Sequence, residues 1–269
     1  MRIATWNVNS IRARIENVKN WLAENSIDIL LLQEIKCQDE QFPYEIFDDM
    51  GYNCLVHGQK SMNGVAILSK FRTHDTVKDL PLYNYKDIYN ESRYIETKIE
   101  YNGQVFRIAS GYFPNGYPSE KYVGIPEESE RFHYKLDFYR RFIDYLRAET
   151  ETNSHEIFIF GGDLNVMHRP IDVHNAKIWE GQIAFLPQER AMLDEIEKLG
   201  FIDTYRHFYP DVKEFSWWNY RFGGWPKNHG LRIDYIYTNK IELIKDVRMD
   251  KETRGLAKPS DHIPVVVEI

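Results

Sequence analysis

Residues 157–163, Ile-Phe-Ile-Phe-Gly-Gly-Asp, constrain this chain more than any other stretch. Four large apolar residues in succession read as a buried strand, and two glycines end it abruptly. Asp163 and Asn165 follow, separated by Leu164. Side chains alternate along a strand, so an acid and an amide two residues apart project the same way. Charge at the mouth of a buried strand is costly to desolvate without a partner. That cost implies chemistry at this strand end.

The chain has 269 residues, 43% of them apolar, enough to bury a large core. No linker, low-complexity segment or fixed-period repeat divides it, so one domain over 1–269 is expected. The net charge of −7 argues against a broadly basic nucleic-acid protein. A carboxylate-rich metal site reconciles the two, because a bound divalent cation reverses the local field. Cys37 and Cys54 belong to no C-x-x-C pair and are expected to be free thiols. The chain opens directly into an apolar strand, with no basic, then apolar leader. No apolar run reaches the about 20 residues needed to span a bilayer. A soluble cytoplasmic protein, bacterial in type, is the expectation.

The coarse order of elements is α/β. Strands are predicted at 2–8 and 28–33, flanking an amphipathic helix at 11–24 whose stripe is Ile11, Ile15, Val18, Trp21 and Leu22. Ser10 is a candidate N-cap for that helix. Strands at 52–57, 64–69, 93–101 and 104–112 suggest an antiparallel or mixed sheet, with Asn102-Gly103 as a hairpin turn. A long helix at 129–148 precedes the 157–163 strand. A helix at 188–199 ends at Gly200, and strands at 232–238 and 263–269 complete the chain. Pro and Gly concentrate in two loops, 114–126 and 221–230, which are candidates for binding.

Polar residues recur at the ends of these strands. Asn7 follows the first, Glu34 the second, Tyr112 and Asn115 the 104–112 strand, and Asp163 and Asn165 the 157–163 strand. Asp234 lies inside an apolar strand, where a carboxylate needs a partner. Asp261 and His262 precede the last strand. Singly, Asn7 reads as a turn residue, Glu34 as a solvated strand end and His262 as structural. Their recurrence favours a shared site. Carboxylate and amide oxygens without a Cys or His cluster suit a hard cation, Mg²⁺ with Mn²⁺ able to substitute, and disfavour zinc. Such an ion keeps open positions for phosphate, which points to phosphate-ester hydrolysis.

These residues resemble a known family. Trp6-Asn7-Val8-Asn9, Leu32-Gln33-Glu34-Ile35-Lys36, Asp203-Thr204-Tyr205-Arg206-His207 with Phe215-Ser216-Trp217-Trp218, Asn228 to Asp234, and Ser260-Asp261-His262 are similar, in order, to the motifs of exonuclease III type AP endonucleases. That family lies within the endonuclease/exonuclease/phosphatase superfamily. Gly-Asp-x-Asn and Ser-Asp-His mark only the superfamily, whereas the 203–218 signature narrows the likeness to DNA repair. The loop after Asn115, Gly116-Tyr117-Pro118-Ser119, is a place where members vary.

The resemblance implies a four-layered α/β sandwich, two packed mixed sheets with helices outside. It implies incision of duplex DNA on the 5′ side of abasic sites, with 3′→5′ exonuclease and 3′-phosphatase activity beside it, and a monomer acting on abasic or blocked 3′ ends. Glu34 would be the principal metal ligand, with Asn7, Asp261, Asp163 and Asn165 around it. Asp163 would activate or orient water, Asn165 would help place it, and His262 paired with Asp234 would face the phosphate. Tyr112 and Asn115 would contact the phosphate or leaving group. Trp217 and Leu231, supported by Phe215, would line a pocket for the bare sugar. Arg221 and Lys135 would meet DNA, as would Arg12, Lys36 and Lys227. The rivals are another phosphoesterase of the superfamily, and a DNA-binding protein without catalysis.

Overall fold

The computed structural model describes residues 1–85, 89–119 and 123–269. The first elements are β1 (Arg2–Asn7), α1 (Ile15–Asn25), β2 (Ile29–Gln33), α2 (Tyr44–Asp48), β3 (Asn53–His57) and β4 (Val65–Ser69). Next come β5 (Thr73–Lys78), β6 (Tyr94–Tyr101), β7 (Gln104–Tyr112), α3 (Glu130–Thr152) and β8 (Ile157–Asp163). They are followed by α4 (Ala176–Trp179), α5 (Pro187–Lys198), β9 (Ile202–Asp203) and α6 (Thr204–Phe208). The last are β10 (Trp217–Trp218), β11 (Gly230–Leu231), β12 (Asp234–Thr238), β13 (Asp246–Met249) and β14 (Val265–Glu268).

Two six-stranded sheets form, in the orders β13-β14-β1-β2-β4-β3 and β5-β6-β7-β8-β12-β9. Each holds one parallel pair, β1 with β2 and β7 with β8. A parallel pair needs a crossover, which α1 and α3 supply. The alternation of side chains then separates the layers. Ile3, Ile29, Leu31, Val65 and Ile67 of the first sheet meet Ile108, Ile157, Ile159 and Ile236 of the second. Their neighbours Trp6, Leu30, Leu32 and Leu68 turn outward onto α1 and α2. Phe158, Phe160, Tyr235 and Tyr237 turn outward onto α3 and α5. Strands buried on both faces read as unbroken apolar runs, as 29–32 and 157–160 do. The result is the expected four-layered sandwich.

Local chemistry explains several boundaries. Ser129 caps α3, its hydroxyl accepting from the Phe132 amide at 3.2 Å. Asn102 and Gly103 both adopt positive φ and close a two-residue hairpin between Tyr101 and Gln104. The 114–126 loop is described except for 120–122. No helix of the described residues is long and apolar enough to cross a membrane. Cys37 and Cys54 are free thiols, as anticipated.

Four boundaries differ from expectation by more than one residue, one being the end of α3, which runs on to Thr152 instead of stopping at 148. α1 begins at Ile15, and Ser10 does not cap it. The chain bends through left-handed conformations at Asn9 and Ser10, whose amide donates to the Glu34 carbonyl at 2.7 Å. Site geometry thus displaces the helix start. β12 begins at Asp234, because the Arg232 amide donates to Asp172 and the Ile233 amide to the Ser216 hydroxyl instead of a ladder. β14 begins after Pro264, which has no amide hydrogen to donate. The short elements α2, β5, α6 and β13 lack enough periodic residues to be recognised from pattern.

Candidate active site

The inward-facing positions of the strands do not stop where the apolar core ends. Along β8, Ile157 and Ile159 face the other sheet, and the same alternation carries Asp163 inward. It carries Asn7 inward from β1, Tyr112 from β7 and Asp234 from β12. Tyr112, Asp163 and Asp234 stand side by side on one rung of the second sheet. A Cβ at Gly162 would lie 1.8 Å from the Gly111 carbonyl oxygen, so this close strand approach needs glycine. Glu34 would face away by strict alternation. Its backbone is left-handed, with φ 50°, and the side chain reaches Asn7.

Asn7 is fully buried and bridges two acids. Its Nδ2 donates to Glu34 Oε1 at 2.8 Å and to Asp163 Oδ2 at 3.0 Å. The Asn165 amide donates to the other Asp163 oxygen at 3.0 Å. Asn165 itself is left-handed, and its Nδ2 donates to the Phe113 carbonyl. His262 Nδ1 faces both oxygens of Asp234, at 2.9 and 3.1 Å. The Ser216 hydroxyl donates to Asp234 at 2.6 Å. The far nitrogen of His262, Nε2, lies 3.8 Å from Asp163 Oδ2. The Trp217 indole donates to Asp261 at 2.9 Å, and Asn9 donates to the other oxygen of that acid.

This crowding sets the charges. Burial alone would lower the His262 pKa, but Asp234 and Asp163 overcome it and hold the imidazolium up to about 10. Burial pushes Asp163 well above the ordinary carboxylate range; Asp234 and Glu34 add to the rise, against His262 and Asn7. Burial also works to raise Glu34, but Lys36, His262 and Asn7 outweigh it and hold it low. Burial and Glu34 keep the Tyr112 phenol protonated, its pKa far above the usual value.

Ligand atoms of Glu34, Asp163 and His262 lie within 4.8 Å of one another. The His262 ring is committed to Asp234 and charged, which leaves carboxylate and amide oxygens as donors. That set fits a hard divalent cation. The Lys36 ammonium already rests between Glu34 Oε2 and Asn9 Oδ1, at 2.7 and 2.6 Å, so the place is one that holds positive charge. A second grouping, His168, Asp194 and Glu197, already has partners within the protein: His168 bonds Asp194 at 2.8 Å and Arg169 lies 3.4 Å from Glu197.

A cavity of about 210 Å³ opens over this cluster. Glu34, Tyr112, Asn115, Asp163, Asn165, Asp261 and His262 line its polar side. Trp217, Leu231, Ile233, Trp179 and Ala184 form the apolar side. A larger cleft of about 460 Å³, beside α1 and residues 249–256, lies away from this chemistry; its Asp250 is tied to Trp21 and Arg248.

The structure thus gathers the acids, amides, Tyr112 and His262 that the sequence singled out. Five candidates do not line the cavity itself; of these, Asn7 bridges Glu34 and Asp163 from below. Asp234 pairs with His262 from behind, as the resemblance implied, without lining the cavity itself. Phe215 is buried against Trp218 and Ile263, a layer below. Arg221 is exposed on the 219–229 loop. Lys135, expected to meet DNA, is wholly buried beneath the site, bonded to Glu189, and has no surface to offer. Sequence reasoning missed Trp179, Ala184, Ile233 and Tyr117 at the cavity, and the supporting roles of Asn9, Lys36 and Ser216. The last three sit within recognised motifs. Trp179 had one signal, a large aromatic in a polar stretch.

Residues 4–262 match the model of the Endonuclease/Exonuclease/phosphatase family. Exodeoxyribonuclease III of Haemophilus influenzae is 34% identical, over 100% of this chain and 99% of that protein. An AP endonuclease from Archaeoglobus fulgidus superposes with a TM-score of 0.89 at 33% identity, covering 100% of this chain and 99% of that one. A Neisseria 3′ phosphatase, solved with a product DNA hairpin, has the same TM-score at 32% identity and the same coverage. Site, fold and sequence agree: this chain belongs to the endonuclease/exonuclease/phosphatase family, in its exodeoxyribonuclease III and AP endonuclease branch.

Proposed function

We propose that this chain is a Mg²⁺-dependent DNA repair phosphodiesterase. It incises duplex DNA on the 5′ side of abasic sites, leaving a 3′-hydroxyl and a 5′-deoxyribose phosphate, and also processes 3′ ends as an exonuclease and phosphatase. One observation carries the reading: a charged His262–Asp234 pair and the Asn7–Glu34–Asp163 cluster open into a small pocket that is apolar on its other side. Its volume, about 210 Å³, is below the roughly 300–1,000 Å³ of pockets for larger ligands. A sugar turned out of the duplex fits there, whereas a sugar carrying its base does not. The names of the relatives support the same substrate class.

Glu34, with Asp261, Asn7 and the oxygens of Asp163 and Asn165 nearby, would hold the ion. When bound, the ion neutralises charge developing on the phosphoryl oxygens. Asp163, fixed on both oxygens by Asn7 and Asn165, orients the attacking water and takes its proton. The His262 imidazolium, held charged by Asp234, donates to the phosphoryl oxygen as negative charge grows there. Tyr112 and Asn115 contact the phosphate or the leaving oxygen from the opposite side. Exposed Arg221, Lys227 and Arg12 hold backbone phosphates, which position the duplex without reading sequence. The 221–225 turn, with Phe222 85% exposed, enters the helix beside the lesion. The enzyme acts as a monomer in a bacterial cytoplasm.

Incision of an abasic duplex and of the same duplex with its base intact, each with Mg²⁺ and with EDTA, tests the proposal. The abasic strand is nicked far faster, and only with metal. Equal rates on the two duplexes reject it.

A further inference from the structure

Lys135 of α3 and Glu189 of α5 form an ion pair in which both side chains are completely buried. All three protons of the ammonium have acceptors. One goes to Glu189, one to the Asn165 carbonyl at 2.8 Å and one to the Asn115 carbonyl at 3.2 Å. Glu189 in turn accepts from the Ala184 and Leu186 amides, each at 3.0 Å. Asn115, Asn165 and Ala184 belong to three separate segments, and all three line the cavity. A single buried pair therefore ties three walls of the pocket together without reaching its surface.

The loop after Asn115 is built to close on this lysine. Gly116 has φ 80°, and a Cβ there would sit 2.8 Å from Lys135 Cδ. Any larger residue would lift the loop from the lysine stem. The neighbouring contact between α3 and the segment leading into α5 is already apolar, through Phe132, Leu136, Ile183 and Leu186. An ion pair is not needed to cement it, since apolar residues of similar volume commonly replace buried pairs without loss of stability. What an apolar residue lacks is donors for the two carbonyls. Asn165 is left-handed, its carbonyl directed down to the lysine and its amide to Asp163 Oδ1. Holding that carbonyl holds the amide on the catalytic acid.

We propose that Lys135 is a positioning residue for the reaction: through the carbonyls of Asn115 and Asn165 it fixes the orientation of Asp163 and of the amides beside it, and Glu189 extends the same hold to Ala184. This rests on the nuclease reading above. Lys135 touches neither phosphate nor water, so its removal alters turnover and not binding.

The test is the Lys135→Met, Glu189→Gln double variant, which removes the donors without leaving a buried charge. Rates are measured on an abasic duplex and on a duplex ending in a 3′-phosphate, alongside Tm and DNA affinity in EDTA. The double variant stays folded with KM and affinity within about threefold, and kcat falls about ten- to a hundredfold, the scale of a reacting group displaced by an ångström. In an Asp163→Asn background, where the acid that Lys135 orients is already gone, the same double change costs much less. Undiminished kcat, a loss that multiplies in full with Asp163→Asn, or a double variant that unfolds each overturns the proposal. A wild-type chain that releases 3′-phosphate but spares the abasic duplex refutes the lesion assignment alone, and the Lys135 comparison is then read on the 3′-phosphate substrate.

Discussion

At the scale of single residues, the site is a balance between desolvation and pairing. Asp163 is buried, yet among the described residues its oxygens receive only the Asn7 and Asn165 donors, with a more distant His262. Replacing it by Asn keeps the shape and removes the proton acceptor. Asp163→Asn therefore loses nicking by several orders of magnitude while abasic-DNA affinity in EDTA is kept. Gel-shift and single-turnover assays check both halves, and undiminished turnover contradicts the assigned role. Because a buried charge is removed, the variant is no less stable than the parent at pH 8.

The same residues give the metal-free protein a definite pH response. His262 and Asp163 both bind protons more strongly in the folded chain than in the unfolded one. For a raised pKa the stabilisation is complete below the unfolded value and disappears as pH climbs through the folded one. For His262 the window runs from an ordinary histidine value of about 6.5 up to about 10. Tm in EDTA falls across that range, and the fall is shallower in His262→Gln. Parallel curves for the two proteins would mean that the Asp234 pairing is not what holds the proton.

At the scale of elements, Asn7, Glu34, Tyr112, Asp163 and Asp234 are each delivered by a strand end. α3 shows how a helix is anchored for this purpose. Ser129 caps it, its buried flank packs on β8, and Lys135 lies two turns in. Ser129→Ala costs about 1 kcal/mol through the lost cap. Denaturant unfolding reads that loss, with turnover per folded molecule unchanged. The β6–β7 hairpin and α5 were legible because their turn and stop residues are chemically explicit. The start of α1 was not, because Asn9 and Ser10 obey the site and not the helix.

At the scale of the whole molecule, the two sheets bring together residues separated by most of the chain. Asn7 and Asp163 are 156 positions apart and share one hydrogen bond. Ser260 donates to the Asn7 carbonyl across 253 positions. Three carboxylates, Glu34, Asp163 and Asp261, line the cavity, while Arg221 and Lys227 stand exposed on the 219–229 loop that Trp217 and Leu231 bracket.

What residue order alone determined was periodicity and chemistry: which runs were buried strands, which turns were hairpins, and which acids and amides stood at strand ends. Those properties are local, carried by a few adjacent side chains. Tertiary packing decided what no neighbour can specify. It turned Glu34 inward through a left-handed bend and placed Trp179 and Ala184 on the cavity wall. It also sank Lys135 beneath the site. A charge is read from sequence as exposed by default, because desolvating it alone is prohibitive; only the fold brings the distant glutamate and the two carbonyls that make such burial tolerable.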